Sequence, residues 1–209
     1  YSSVTNVSSV PQRSPFRYAG GKTWLIPTIR LWLNVGSGVH LIEPFCGGGI
    51  VSLSAVAENR VRLSTMVEKD NDVAAAWITI FNDPEWLINQ IRTFKLTKEN
   101  VEAVVNSAPS STKEHGFQTI IRNRTNNGGI LAKGAGCIKL GENGKGLGSR
   151  WYPETLAKRI QGISENKSKI EFINGDAFDY LTEDNDKPDT YFFIDPPYSV
   201  AGKRLYTLC

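Results

Sequence analysis

Short apolar runs recur along the chain, and each ends at glycine, proline or an acid. Val39-His40-Leu41-Ile42-Glu43-Pro44-Phe45 predicts a buried strand, which Cys46-Gly47-Gly48-Gly49 turns into a helix from Ile50 to Glu58. Leu63 to Val67 predicts a second strand, ending at Glu68. Ile170 to Asn174 predicts a third, which Gly175-Asp176-Ala177-Phe178 leads into a short helix, and the β-branched and aromatic run Thr190 to Ile194 predicts a buried fourth. Helical spacing marks other stretches. Leu25, Ile29, Trp32 and Leu33 share one face after a glycine pair. Asn71 or Asp72 can cap a helix through Ala74, Trp77, Ile78 and Phe81, Pro84 can open another, and Thr97 can cap a third toward Val105. Gln118 to Arg124 can be helical, and Pro153 starts a helix with Leu156, Ile160 and Ile163 inward.

After the helix through Leu25 and Leu33, the predicted elements alternate strand, helix, strand, and then successive helices follow with no strand between them. Such a pause is how an inserted helical lobe looks in sequence. The reading is therefore an α/β fold, a doubly wound sheet interrupted by helices: a loose arm over 1–14, a sheet domain from 15–80 and 165–209, and a helical lobe over 81–164.

Composition narrows the classes. With 209 residues, 40% hydrophobic and 22% charged, the chain has room for one sizeable core and a small lobe. A net charge of +3 names no partner. Cys46, Cys137 and Cys209 are scattered and lack metal-ligand spacing, which favours a reducing cytosolic setting and no metal. No run approaches the roughly 18 apolar residues of a membrane span. The distribution of charge is more telling: between Gly116 and Arg150, Arg122, Arg124, Lys133, Lys139, Lys145 and Arg150 face a single acid, Glu142, in a glycine- and asparagine-rich stretch. A basic, flexible loop of that kind suits nucleic-acid phosphates.

The strand ends carry the candidate chemistry. Gly20-Gly21-Lys22 before a helix offers donors to an anionic group; Gly21-Lys22-Thr23 also matches the end of a P-loop, but that pattern's first glycine falls at Phe16. The turn Gly47 to Gly49 lets a ligand approach the backbone closely, yet Ser52 stands where a dinucleotide fingerprint has its last glycine, so a smaller nucleoside ligand fits better than a pyrophosphate. Glu68 follows the glycine turn by about 20 residues, the distance at which an acid accepts from ribose hydroxyls. Asp176 can accept from an adenine amine with Phe178 on the ring, or can serve as a helix cap. In Asp195-Pro196-Pro197-Tyr198 the prolines stiffen the backbone and remove donors, leaving a carboxylate, carbonyls and an aromatic ring for a planar group with N–H donors.

Pro15-Phe-Arg-Tyr-Ala-Gly-Gly-Lys22, Glu43-Pro-Phe-Cys-Gly-Gly-Gly49, Asn123-Arg-Thr-Asn-Asn-Gly-Gly-Ile130, Asn174-Gly-Asp-Ala177 and Asp195-Pro-Pro-Tyr198 resemble, in content and order, the Dam-like, D12 class, alpha group of adenine-N6 DNA methyltransferases. The resemblance implies a Rossmann-like S-adenosylmethionine-dependent methyltransferase sheet with an inserted helical target-recognition lobe. It implies S-adenosylmethionine as methyl donor, S-adenosylhomocysteine as product, double-stranded DNA as partner, and a monomer when complete, in the cytoplasm of a bacterial, archaeal or phage-infected cell. Tyr18, Ala19, Gly20, Gly21, Lys22, Pro44, Phe45, Gly47, Gly49, Glu68, Asp176, Ala177, Phe178 and Asp195 fall at cofactor positions; Asp195, Pro196 and Tyr198 fall at the catalytic tetrad. Arg122, Arg124, Asn126, Asn127, Lys133, Lys139, Lys145 and Arg150 are the DNA-facing candidates.

The implied chemistry suits these residue types. A duplex adenine must be extruded to meet a methyl donor, at about a few kcal/mol. Acceptors at Asp195 and the Pro196 carbonyl would draw its amine toward tetrahedral geometry for direct transfer, whereas cytosine C5 methylation needs a cysteine nucleophile. An aspartate heading the tetrad favours adenine over cytosine N4 within the family. Members also continue beyond the tetrad, so the chain is expected to lack C-terminal strands, leaving an exposed apolar edge, and a silent DNA- or cofactor-binding module is the alternative reading.

Overall fold

The computed structural model describes residues 7–17, 21–34, 39–132, 135–141, 144–182 and 187–197. The described residues of 1–14, 20–69 and 165–196 form one compact unit, and those of 15–19, 70–164 and 197–209 form another.

The first unit is built on four parallel strands, β1 (His40–Glu43), β2 (Leu63–Glu68), β3 (Ile170–Asn174) and β4 (Thr190–Phe192), in the order β3-β2-β1-β4. This is a Rossmann-like order. Its progression from β1 outward to β3 reverses when the chain crosses to β4, and in such sheets ligands bind beside the strand ends at the reversal. β1 is shorter than the expected run because Pro44 has no N–H to continue the ladder. Leu41, Ile42, Met66 and Val67 fill the core from the two central strands. β4 departs from the buried strand expected over Thr190 to Ile194. It pairs on one side with β1, its residues are half-buried, and Ile194 is 52% exposed, because among the described residues β4 stands at the sheet's edge.

Two helices pack in this unit. In α1 (Ile26–Leu33), Ile26, Ile29 and Leu33 are buried, and a 3-10 turn over Lys22–Leu25 precedes it. α2 (Ile50–Ala57) is buried through Val56 and begins at Gly49, which takes a left-handed φ of 61°. The loose arm expected over 1–14 is corrected within its described part: Val10 and Ser14 are buried, and Arg13 approaches Glu58 at 3.9 Å.

The second unit is helical: α3 (Asn71–Asn82), α4 (Pro84–Thr93), α5 (Lys98–Asn106), α6 (Thr112–Thr125) and α7 (Pro153–Glu165), the last ending at the unit boundary. Pro84, Thr97 and Pro153 open their helices as expected. The cap of α3 is Asp70, not Asn71 or Asp72; its extended backbone lets the side chain accept from the amides of Asp72 and Val73. The contact boundary falls at 69/70, with α3 packed chiefly on α6 rather than grouped with 15–69. Gly116 explains the closeness of that packing, since a Cβ there would lie 2.7 Å from the Ala75 carbonyl. Phe16 meets Trp77 at 5.4 Å between ring centres, and Phe94 contacts both Phe117 and Trp151.

Candidate active site

In the sheet unit, β1 and β4 run side by side in the register His40 to Thr190, Leu41 to Tyr191 and Ile42 to Phe192, and the Phe193 amide donates to the Ile42 carbonyl at 2.9 Å. Glu43-Pro44 and Asp195-Pro196 therefore leave adjacent strand ends. Lys22, at the start of the turn leading to α1, places Nζ 2.7 Å from Oδ2 of Asp195. Both side chains are largely shielded, at 20% and 33% exposure. Two motifs far apart in sequence thus meet in one ion pair.

The glycine turn is tied to β2. Gly47 and Gly49 hold φ of 46° and 61°, a region where a side chain is strained, and the Gly47 amide donates to Oε2 of Glu68 at 3.0 Å. Pro44 and Gly49 are buried; Phe45 is half-buried. The Cys46 amide donates to the Val67 carbonyl, which pins the turn across the two strand ends.

At the end of β3, Asp176 makes the capping interaction, accepting from the Phe178 amide at 3.0 Å, and also pairs with Lys69 at 2.6 Å. These partners hold its carboxyl below the usual range, Lys69 first and the amide next. Ala177 is buried, and Phe178 is exposed with its ring edge-on to Phe45 at 6.1 Å.

Glu43 is the site residue that sequence reasoning missed. It is buried, and its carboxylate accepts from the Ser52 amide at 2.9 Å and from the Ser52 hydroxyl, itself bonded by Ser64. Burial pushes Glu43 up to about 7; the Ser52 bonds pull it down, and the charge of Asp195 adds to the rise. The available signal was an acid closing an otherwise apolar strand run. Cys46 is a free, buried thiol pushed upward by burial and then by Glu68 and Glu43.

The DNA-facing candidates divide. Arg122 and Arg124 lie on α6, within the stretch expected to be helical. Arg122 donates to Asp72 at 2.6 Å and to the Leu131 carbonyl at 2.6 Å, while His115 holds the other oxygen of Asp72. Arg124 is buried and donates to the Pro15 carbonyl, so a surface phosphate contact for it is corrected to an interior one. Burial, followed by Arg159, Arg17 and Arg150, pushes its guanidinium down to about 9. Asn126 is buried and donates to Ile130; Asn127, Lys139 and Lys145 are exposed and Arg150 is half-buried. The stretch after α6 is shaped by an antiparallel bridge from Asn126 to Cys137 and a 3-10 turn over Gly146–Arg150. Tyr18, Ala19, Gly20, Lys133 and Tyr198 lie outside the described residues.

Among the described residues no cluster of His, Cys, Asp or Glu could hold a metal, and no helix is long and apolar enough to cross a membrane. Residues 18–122, half of the chain, match a family model described as D12 class N6 adenine-specific DNA methyltransferase. Curated proteins give no match.

Proposed function

Because the chain belongs to the D12 class N6 adenine-specific DNA methyltransferase family, whose activity is DNA adenine methylation, we propose that it transfers a methyl group from S-adenosylmethionine to N6 of an adenine flipped out of double-stranded DNA. The observation that carries this reading is the meeting of Lys22 and Asp195 at 2.7 Å where β1 and β4 end side by side.

The strand ends fit the donor by their chemistry. A turn bare of side chains at Gly47 and Gly49, an acid at Glu68 on the neighbouring strand, and the Phe45 and Phe178 rings beside Asp176 offer a backbone cradle, a hydroxyl acceptor and an apolar ledge. Glu68, Asp176 and Phe178 would hold the nucleoside, with Tyr18, Ala19, Gly20, Gly21, Lys22 and Pro44 completing the cofactor set on sequence grounds. When bound, S-adenosylmethionine supplies an electrophilic methyl on a sulfonium.

The protein's part is positioning. Lys22 fixes one oxygen of Asp195, so the carboxylate is oriented before the base arrives. Asp195 and the Pro196 carbonyl then each accept one N–H of the adenine amine, whose lone pair is otherwise spread into the ring, and the nitrogen becomes a directed nucleophile. Tyr198 is assigned to stacking on the extruded base, offsetting part of the roughly few kcal/mol of lost pairing. Asn127, Lys139, Lys145 and Arg150, exposed or half-buried in the helical unit, are assigned to DNA; Arg122 and Arg124 are assigned to holding that unit together. This divides the chain into a catalytic sheet domain and a target-recognition lobe.

Isotope-labelled methyl transfer to unmethylated duplex DNA, followed by nucleoside analysis, tests the proposal. N6-methyladenine is expected. N4-methylcytosine would move the target to the other base, and no incorporation would leave a binding module.

A further inference from the structure

Resting on that reading, we propose that a cleft within the helical unit, walled by Arg17, Lys139 and Arg150, seats one phosphodiester of the DNA backbone with its sugar. Arg17 stood outside every candidate set drawn from the sequence. The cleft is open to solvent and holds about 440 Å³, within the size range of small-ligand sites. Its described lining has three cationic side chains and no carboxylate, so the sign of its occupant is set.

The cationic wall is built rather than incidental. The Arg17 amide donates to Oδ1 of Asn123 at 2.8 Å, and Nδ2 of Asn123 returns a bond to the Arg17 carbonyl at 2.9 Å. Gly129 closes on the same carbonyl, where a Cβ would come within 2.6 Å. The backbone of Arg17 is therefore fixed beside the turn that carries Asn127 and Gly128. Burial first, and the charge of Arg150 second, lower the Arg17 guanidinium. A diester laid beside Arg17 offsets that neighbouring positive charge.

Ser149 supplies an independent observation. It lines the cleft, is 1% exposed, and its hydroxyl has no hydrogen-bond partner. Buried hydroxyls are ordinarily paired, and Ser149 leaves an unpartnered donor in the wall of this cationic cleft. Ile138 and Leu140, the latter 81% exposed, add an apolar flank suited to a deoxyribose face.

Duplex DNA binding across a salt series tests the cleft, with the wild-type chain, the double variant Arg17→Ala/Arg150→Ala, and Lys139→Glu. Lys139 is exposed, so its variant reports on binding without touching the interior. The expected result is at least about a tenfold loss of affinity at moderate salt, with the slope of log K against log salt shallower by about one for each cation removed. Unchanged slopes in both variants, or no duplex binding by the wild type, would overturn the cleft. Methyl transfer measured on the same duplex separates the two readings. Transfer with unchanged slopes leaves the methylation reading standing and the cleft wrong. Shallower slopes with no transfer by the wild type leave the cleft standing and the methylation reading wrong.

Discussion

At the strand ends of the sheet unit, each of four acids meets a donor from that unit: Glu43 has Ser52, Glu68 has the Gly47 amide, Asp176 has Lys69 and Asp195 has Lys22. In the helical unit the corresponding charges are arginines: Arg124 is lowered by burial first and then by Arg159, Arg17 and Arg150, and Arg17 by burial and then by Arg150. The first arrangement holds carboxylates in fixed directions, which suits accepting from a small planar group in one pose. The second concentrates like charge, which suits a polyanion that arrives from outside and relieves it. Oriented acceptors and accumulated charge are different devices, and a DNA adenine methyltransferase needs both.

The largest expected effect breaks the first device at its centre. Asp195→Ala should lower methyl transfer by about 10²–10³-fold, the scale of losing one pre-placed polar group in a reaction centre; single-turnover assays with circular dichroism as a folding control check it, and near-normal turnover would sink the acceptor role.

Next comes pH. Glu43 is raised from the ordinary carboxylate range to about 7, so the folded state binds more protons than the unfolded chain between about pH 4.5 and 7. Stability from this residue is accordingly present at low pH and lost as pH rises through 7, by about 3 kcal/mol at most. Chemical denaturation at pH 5 and pH 8 should show the decline, and Glu43→Gln should flatten it. A decline in the variant as steep as the parent's would mean that another group carries the dependence.

Smaller still is the packing of the helical unit. Gly116→Ala puts a methyl against the Ala75 carbonyl and Thr79, neither of which is the end of a flexible chain, and should cost about 1–3 kcal/mol. A thermal unfolding midpoint equal to that of the parent would show that α3 and α6 can part at no cost. The smallest effect is expected from Lys69→Ala. Its partner Asp176 is surface-lying and retains the Phe178 amide, so the unfolding midpoint should stay within error while S-adenosylmethionine affinity, read by calorimetry, changes only modestly.

Much of this molecule follows from local pattern. Period and turn chemistry located the four strands, the glycine turn before α2 and the openings of the helices at Pro84, Thr97 and Pro153, because each rests on residues within a few positions of one another. The motif blocks in order pointed to the D12 class, which the family match over residues 18–122 bears out. Local pattern failed where a distant neighbour decides the outcome. Asp70 caps α3 through its backbone angle, where Asn71 and Asp72 looked equivalent. The helix expected from Gln118 begins earlier, at Thr112, and takes in Gly116, where α3 comes too near for a side chain. Arg124 reads as a surface cation and lies in the interior. The pairing of Lys22 with Asp195, the coupling of Glu43 to Asp195, and the convergence of Arg17 with Arg150 join residues widely separated in sequence. Spacing along a chain carries no record of which strands become neighbours, so those contacts were set only when the sheet order β3-β2-β1-β4 and the helical packing closed around them.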